Sequence, residues 1–223
     1  MNVTPIILDL ETAGLPNAAD FLEPVTPDGR LTDPKKIEWD IKAKEQARLE
    51  KLGLDWNVGR IVALGYWTEE TGIKTFTCEN ESEEESVIRT FWLECKYRTI
   101  VGFCLKQFDL RFLVQRSRYL GIAHPILDFS KYSRKGIDDL YLDLTFGDGT
   151  YDQGAMRRTL KAFCKRFGIP CTDAVEGKDV PALVEKGDWE AVAAHCRADV
   201  EMTLALAVKL GVVRQEAAEA VAL

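Results

Sequence analysis

Residues 5–14 read PIILDLETAG, and the reading of this stretch decides the fold class. Ile6, Ile7 and Leu8 follow one another, and Gly14 with Pro16 marks a turn soon after. A short, β-branched apolar run closed by turn residues predicts a buried strand, here over residues 5–10. Alternation along a strand puts Asp9 and Glu11 on one face. Two carboxylates side by side repel and lose hydration, so something must compensate them. A hard cation such as Mg²⁺ or Mn²⁺ takes oxygen ligands and supplies that compensation. Taken alone, the D-x-E spacing fits an exposed strand end feeding a turn equally well.

Working outward, GRIVALGYW at 59–67, IKTFTC at 73–78 and RTIVGF at 98–103 predict three more strands. Glu70-Thr71-Gly72 joins the first two of these as a hairpin turn. Ser82 and Glu85 form a capping-box pattern that predicts a helix through about Lys96. Further helices are predicted over 106–120, 155–167 and about 188–210. The third of these four carries Met156, Leu160, Phe163, Cys164 and Phe167 on one face and stops before Gly168 and Pro170. Strands that open the chain and then alternate with helices predict an α/β layer architecture. The connection 17–57 is long for a link between strands. Asp33-Pro34 reads as an N-cap and first helical residue, followed by Lys35, Lys36, Lys42, Lys44, Arg48 and Lys51. The expectation is a helical insertion, either a solvated surface helix or a clamp beside a site. Residues 1–212 are read as one domain and 213–223 as a tail.

The chain has 223 residues with 29 Lys+Arg and 36 Asp+Glu, a net charge of −7, and is 46 % hydrophobic. That length and composition support a globular core. The acidic balance argues against a protein that coats duplex DNA by charge, though not against a local nucleic-acid site. No apolar run approaches the roughly 20 residues of a membrane span. The N-terminus lacks the basic and long apolar regions of a signal peptide. Six cysteines without CxxC pairs predict reduced thiols and a cytoplasmic protein, not a disulfide framework or a zinc site.

Two further motifs could carry chemistry. Phe108-Asp109 lies near the start of the 106–120 helix, where an acid is also favoured by the helix dipole alone. His195 and Asp199 are four apart in the last helix and share a face. Separately, they fit a satisfied core histidine and a surface acid.

In chain order, D-x-E on a first strand, F-D opening a middle helix and H-x-x-x-D in a last helix resemble the DnaQ-like 3′–5′ exonucleases. These form the DEDD superfamily on a ribonuclease H-like fold. The pattern is similar to the proofreading exonuclease domain of family B DNA polymerases. Gly102-Phe103, the Leu160-Lys161 helix ending at Gly168-Ile169-Pro170, and Asp199-Val200 with Thr203 add to it. The resemblance implies a mixed central sheet flanked by helices, with 17–57 inserted between strands one and two. It implies a metal-dependent 3′–5′ exonuclease acting on nucleic acid, with a single-stranded 3′ end as the favoured substrate. It further implies that Asp9, Glu11, Asp109 and Asp199 hold two divalent ions, Mg²⁺ or Mn²⁺. Asp9 would bridge the ions, Glu11 and Asp199 would hold the one that activates water, and Asp109 would hold the other. Thr12, Phe108 and Lys161 are the implied substrate contacts.

Two departures accompany the resemblance. Families of this kind have Tyr four residues before the last Asp or His five before it, whereas this chain has His195 four before Asp199. One residue along a helix rotates a side chain by about 100°, so His195 is placed in the Tyr slot. There it is a candidate to position or deprotonate the attacking water. Cys104 stands where Asn is usual. The D-L element fits Asp139-Leu140 and Asp143-Leu144 alike. Arg157, Arg158, Lys161, Lys165 and Arg166, with Lys131, Arg134 and Lys135, form basic patches suited to phosphate. The acidic run 79–85 is expected to face away from substrate. The alternative function is a non-catalytic nucleic-acid-binding or scaffold domain. A haloacid-dehalogenase-like phosphatase would need a second Asp where Glu11 stands.

Overall fold

The computed structural model describes residues 4–130, 133–147 and 158–215. Its strands are β1 (Pro5–Gly14), β2 (Gly59–Thr68), β3 (Gly72–Thr77), β4 (Thr99–Gly102) and β5 (Ile137–Asp139). Its helices are α1 (Pro34–Leu49), α2 (Glu81–Glu94), α3 (Asp109–Tyr119), α4 (Leu140–Leu144), α5 (Leu160–Arg166), α6 (Val180–Lys186) and α7 (Trp189–Lys209). The strands form one sheet in the order β3-β2-β1-β4-β5. β1 is antiparallel to β2 and parallel to β4, so the sheet is mixed and β1 is central.

Helices cover both faces. On one, Ile6 and Leu8 of β1 pack with Leu64, Phe91 and Phe112 beneath α2 and α3. On the other, Ile7 packs with Val101, Cys164, Val200 and Leu206 beneath α5 and α7. Alternation therefore sends Asp9 and Glu11 toward α7. Gly65 of β2 lies opposite Asp9 and makes close approach possible. A Cβ there would come within 2.7 Å of Val200 Cγ2 and 2.9 Å of Cys196 Sγ. A missing side chain on β2 thus sets how closely α7 lies on the sheet.

The insertion between β1 and β2 holds α1, which has no buried residue. Asp33 caps it by accepting from Lys35 N–H at 2.9 Å. Asp40 accepts from Asp28 N–H at 2.8 Å and Lys44 donates to Thr26 O at 3.1 Å, tying α1 to the segment before it. The insertion returns to the sheet where Thr12 Oγ1 donates to Gly53 O at 2.5 Å.

Several elements differ from the sequence expectation. The first strand runs to Gly14. β5, α4 and α6 are 3, 5 and 7 residues long, too short for a periodic signal. α2 is capped by Asn80, which accepts from Glu83 N–H at 3.0 Å, instead of by Ser82. α3 starts at Asp109 and not at 106, because Cys104 has φ +62° and Gln107 and Phe108 both donate to its carbonyl. α5 starts at Leu160 behind the cap Thr159, and Met156 and Arg157 of the expected helix lie outside the described residues. Val213, the first residue of the expected tail, is buried in the α7-side core. The six cysteines are unpaired. Among the described residues, no helix is long and apolar enough to cross a membrane.

Glu84 is the buried member of the acidic run. It shares the inward face of α2 with Ile88 and Phe91 and is fully buried. One carboxylate oxygen accepts from Ile61 N–H at 2.9 Å. The two oxygens also accept from Arg116 Nε and Nη2, each at 2.8 Å. This bidentate pair fastens α2, α3 and β2 together. Glu84→Ala leaves the buried guanidinium with only the exposed Glu81 at 3.7 Å. We expect a loss of roughly 3–5 kcal/mol in urea unfolding; a loss under about 1 kcal/mol would contradict the role.

Candidate active site

Three elements bring the acids together. β1 supplies Asp9 and Glu11, α3 supplies Asp109 as its first residue, and α7 supplies Asp199. The β1–β2 register slips between Glu11 and Thr12, where Glu11 faces Ala63 and Thr12 faces Ile61. Such a bulge bends a strand end and re-aims its side chains. On the other edge of β1, pairing with β4 stops at Ile7 opposite Val101. Leu10 N–H then donates to Asp109 Oδ1 at 3.2 Å, which fixes α3 against β1.

The resulting cluster is short of donors. Glu11 and Asp109 are buried. Asp9 Oδ2 and Asp199 Oδ1 are enclosed and have no hydrogen-bond partner among the described residues. Ligand atoms of Glu11, His195 and Asp199 all lie within 4.8 Å of one another, as do those of Asp9, Glu11 and Cys196. Burial, then the charges of Asp199, Glu11 and Asp109, push the Asp9 carboxyl well above its usual range. Burial and the charges of Asp199 and Asp109 do the same to Glu11. Burial, with Asp139 and Asp199 adding to it, raises Asp109 to about 8 against the lowering bonds of its own and Leu10's N–H. Burial also raises Asp199, with His195 and Lys161 opposing.

Oxygen donors with orphaned, enclosed lone pairs fit a hard divalent cation. Burial and the Asp9 charge push the Cys196 thiol beside them far up, away from the thiolate form. Its Sγ instead donates a weak bond to Asp9 O at 3.8 Å.

His195 is buried at the edge of this cluster. Its Nε2 is 3.4 Å from Glu11 Oε1. Its Nδ1 is 2.6 Å from Asp173 Oδ2. Asp173 was not among the residues singled out in the sequence. It lies on the irregular segment between α5 and α6, where no periodicity marks it. The signal available was indirect: a buried imidazole has two polar atoms on opposite edges, and both need partners. Lys161 Nζ donates to Asp173 Oδ2 and to Asp173 O, each at 3.2 Å, and also to Val175 O. Burial alone raises Asp173, but the bonds from Val175 N–H, His195 and Lys161 outweigh it and hold the carboxyl below its usual value.

The remaining candidates fall as follows. Thr12 is buried at the bulge, and its hydroxyl is taken by Gly53 O. Phe108 packs on Phe112 at 5.1 Å between ring centres. Phe103 sits edge-on to Tyr141 in the α7-side core. Cys104 is half-buried, and burial with the charges of Asp139 and Asp109 raises its thiol to about 12. Its left-handed backbone is one that Asn tolerates better than most residues. Asp139 is the buried member of the D-L ambiguity: it accepts from Lys106 N–H at 2.9 Å and caps α4. Asp143 instead pairs at the surface with Arg134. Lys165 and Arg166 are exposed, while Lys131 and Arg157 lie outside the described residues.

Residues 54–220 match a family described as "Predicted 3'-5' exonuclease related to the exonuclease domain of PolB". That range includes Asp109, His195 and Asp199; Asp9 and Glu11 precede it. Among solved structures, the chain is similar to the family B DNA polymerase from the hyperthermophilic archaeon Pyrobaculum calidifontis, with a TM-score of 0.62 at 18 % identity. The match covers 94 % of this chain and 25 % of the polymerase, so the chain spans a quarter of that protein's length. No curated protein matches the sequence. The mixed five-stranded sheet with helices on both faces is a ribonuclease H-like fold.

Proton linkage gives a test of the cluster. Asp109 titrates at about 8 in the folded chain against 3.8 ordinarily. The folded state then holds a proton that the unfolded state releases over that interval. Its contribution to stability is fully present below the ordinary value and is lost as pH rises through about 8. Without metal, the melting temperature should fall from about pH 5 to about pH 8, and Mn²⁺ should restore it most at the upper end. Asp109→Asn should flatten the fall and weaken the rescue. A wild-type melting temperature independent of both pH and Mn²⁺ would contradict this account.

Proposed function

The chain belongs to the predicted 3′–5′ exonuclease family related to the exonuclease domain of PolB, and on that premise we propose that it is a metal-dependent 3′–5′ exonuclease. Its substrate in this reading is the 3′ end of single-stranded nucleic acid, and its reaction is hydrolysis of the terminal phosphodiester. The observation that carries the reading is the convergence of Asp9, Glu11, Asp109 and Asp199 from β1, α3 and α7, with enclosed oxygens of Asp9 and Asp199 lacking any donor. A binding module has no need of such a repulsive group, whereas a site built for cations does.

Asp9, Glu11 and Asp199 would hold one divalent ion, Mg²⁺ or Mn²⁺, and Asp9 with Asp109 a second. Bound there, two such ions would supply an activated water and charge stabilisation at the leaving oxygen. The chain's own residues do the rest. Glu11 and His195 face each other across 3.4 Å, which places the imidazole within reach of a water resting against Glu11. His195 is then the general base for that water. In this reading the backbone at Thr12, next to Glu11, and Phe108, next to Asp109, would receive the terminal nucleotide. Asp109, anchored by Leu10 N–H, keeps the start of α3 in register with β1.

Purified protein with Mn²⁺ or Mg²⁺ should shorten 5′-labelled single-stranded oligonucleotides stepwise from the 3′ end. Asp9→Ala should abolish cleavage while leaving the fold intact by circular dichroism. His195→Ala should lower kcat by about 10²–10⁴. If neither DNA nor RNA is degraded with either metal, yet oligonucleotides still bind, the non-catalytic reading takes over.

A further inference from the structure

His195 reaches the cluster with one ring nitrogen and leaves it with the other. Nδ1 points away from the carboxylates to Asp173 Oδ2 at 2.6 Å. Asp173 is itself held at three points. Val175 N–H donates to its second oxygen at 3.0 Å, and Lys161 donates both to its side chain and to its backbone carbonyl. A third Lys161 contact goes to Val175 O. The ammonium has three donors, and all three are directed at residues 173–175. Asp173 and Lys161 therefore form a closed clamp behind the imidazole, spanning α5, the segment before α6, and α7.

From these contacts we propose that Asp173 is a positioning residue for His195, and that Lys161 serves the site by anchoring Asp173 and not by binding phosphate. The proposal rests on the exonuclease reading above. Donation of Nδ1–H to a fixed carboxylate sets the ring plane and leaves Nε2 as the nitrogen turned to Glu11 and the attacking water. Carboxylates behind functional imidazoles act in this way elsewhere, and their removal costs about ten- to a hundredfold behind metal-bound imidazoles and about 10⁴-fold in the Ser-His-Asp triad. A tyrosine in this slot has no second polar ring atom to hold. The clamp is thus a consequence of histidine standing there.

Two experiments separate this idea from the reading it rests on. The first needs no activity. The chain contains 2 histidines, and the other, His124, directs Nδ1 at Pro125 O on an exposed segment. With ¹⁵N-histidine labelling, metal-free wild type should show a low-field, exchange-protected Nδ1–H proton from His195. Asp173→Ala should lose it. Retention of that proton in the variant overturns the proposal, whether or not the enzyme cleaves anything.

The second is kinetic. Asp173→Ala and Lys161→Met should each lower kcat about ten- to a hundredfold with KM and its salt dependence unchanged. In a His195→Ala background, either change should add less than about twofold, because the residue they position is gone. Full additivity there would mean a general structural effect and would overturn the positioning role. A raised KM and a shallower salt slope in Lys161→Met, with kcat intact, would return Lys161 to phosphate binding. An inactive wild type would sink the exonuclease reading and leave the spectroscopic test standing.

Discussion

Mutual repulsion among Asp9, Glu11, Asp109 and Asp199 is the constraint around which the rest of the molecule is arranged. Each acid loses water on folding, and the charge of Asp199 raises the proton affinity of the other three. The group cannot stabilise the fold by itself; the fold must hold it in place. It does so with rigid elements: a central strand buried on both faces, a helix docked through Leu10 N–H, and a long helix pressed on the sheet over Gly65. Cation binding would relieve the strain that these elements impose. Stability and function then oppose one another at the same few atoms, as expected where charge is concentrated for chemistry.

The sheet topology explains why those elements meet. β1 pairs antiparallel on one side and parallel on the other, and its parallel pairing ends after Ile7. Beyond that point, one edge of β1 is open. Asp109 fills it from α3, and the bulge at Glu11/Thr12 bends the strand end as the insertion departs. The buried Glu84–Arg116 pair locks α2 to α3 on the far side of the sheet. The position of Asp109 is therefore supported from behind by an ion pair distant from the site.

Much of this was legible in the sequence, and the limits have physical causes. Strands and helices with several turns or alternations announced themselves, and the order of the acid motifs pointed to one fold. Glu84 was not singled out because four neighbouring acids mask one inward position; only the phase with Ile88 and Phe91 distinguishes it. The start of α3 was misplaced because one left-handed residue, Cys104, delays it without altering the hydrophobic pattern. β5, α4 and α6 hold too few residues for any period. Asp173 lies in irregular chain, where spacing carries no information about which side chains will meet.

His195 shows how one substitution reorganises its surroundings. A tyrosine offers one hydroxyl at the tip of a ring and can be left otherwise in apolar packing. An imidazole offers two polar atoms on opposite edges, and burial obliges both to be satisfied. Placing histidine four residues before Asp199 therefore demands an acceptor on the side away from the acid cluster. The acceptor must be anionic or strongly polar, since a buried ring facing carboxylates on one edge gains from negative charge on the other. That acceptor brings its own charge and needs a cation in turn. The chain meets each demand in sequence: Asp173 for His195, Lys161 for Asp173, and the carbonyl of Val175 for Lys161. The departure at His195 and the placement of Lys161 are thus one feature of the structure, joined by a residue that neither motif contains.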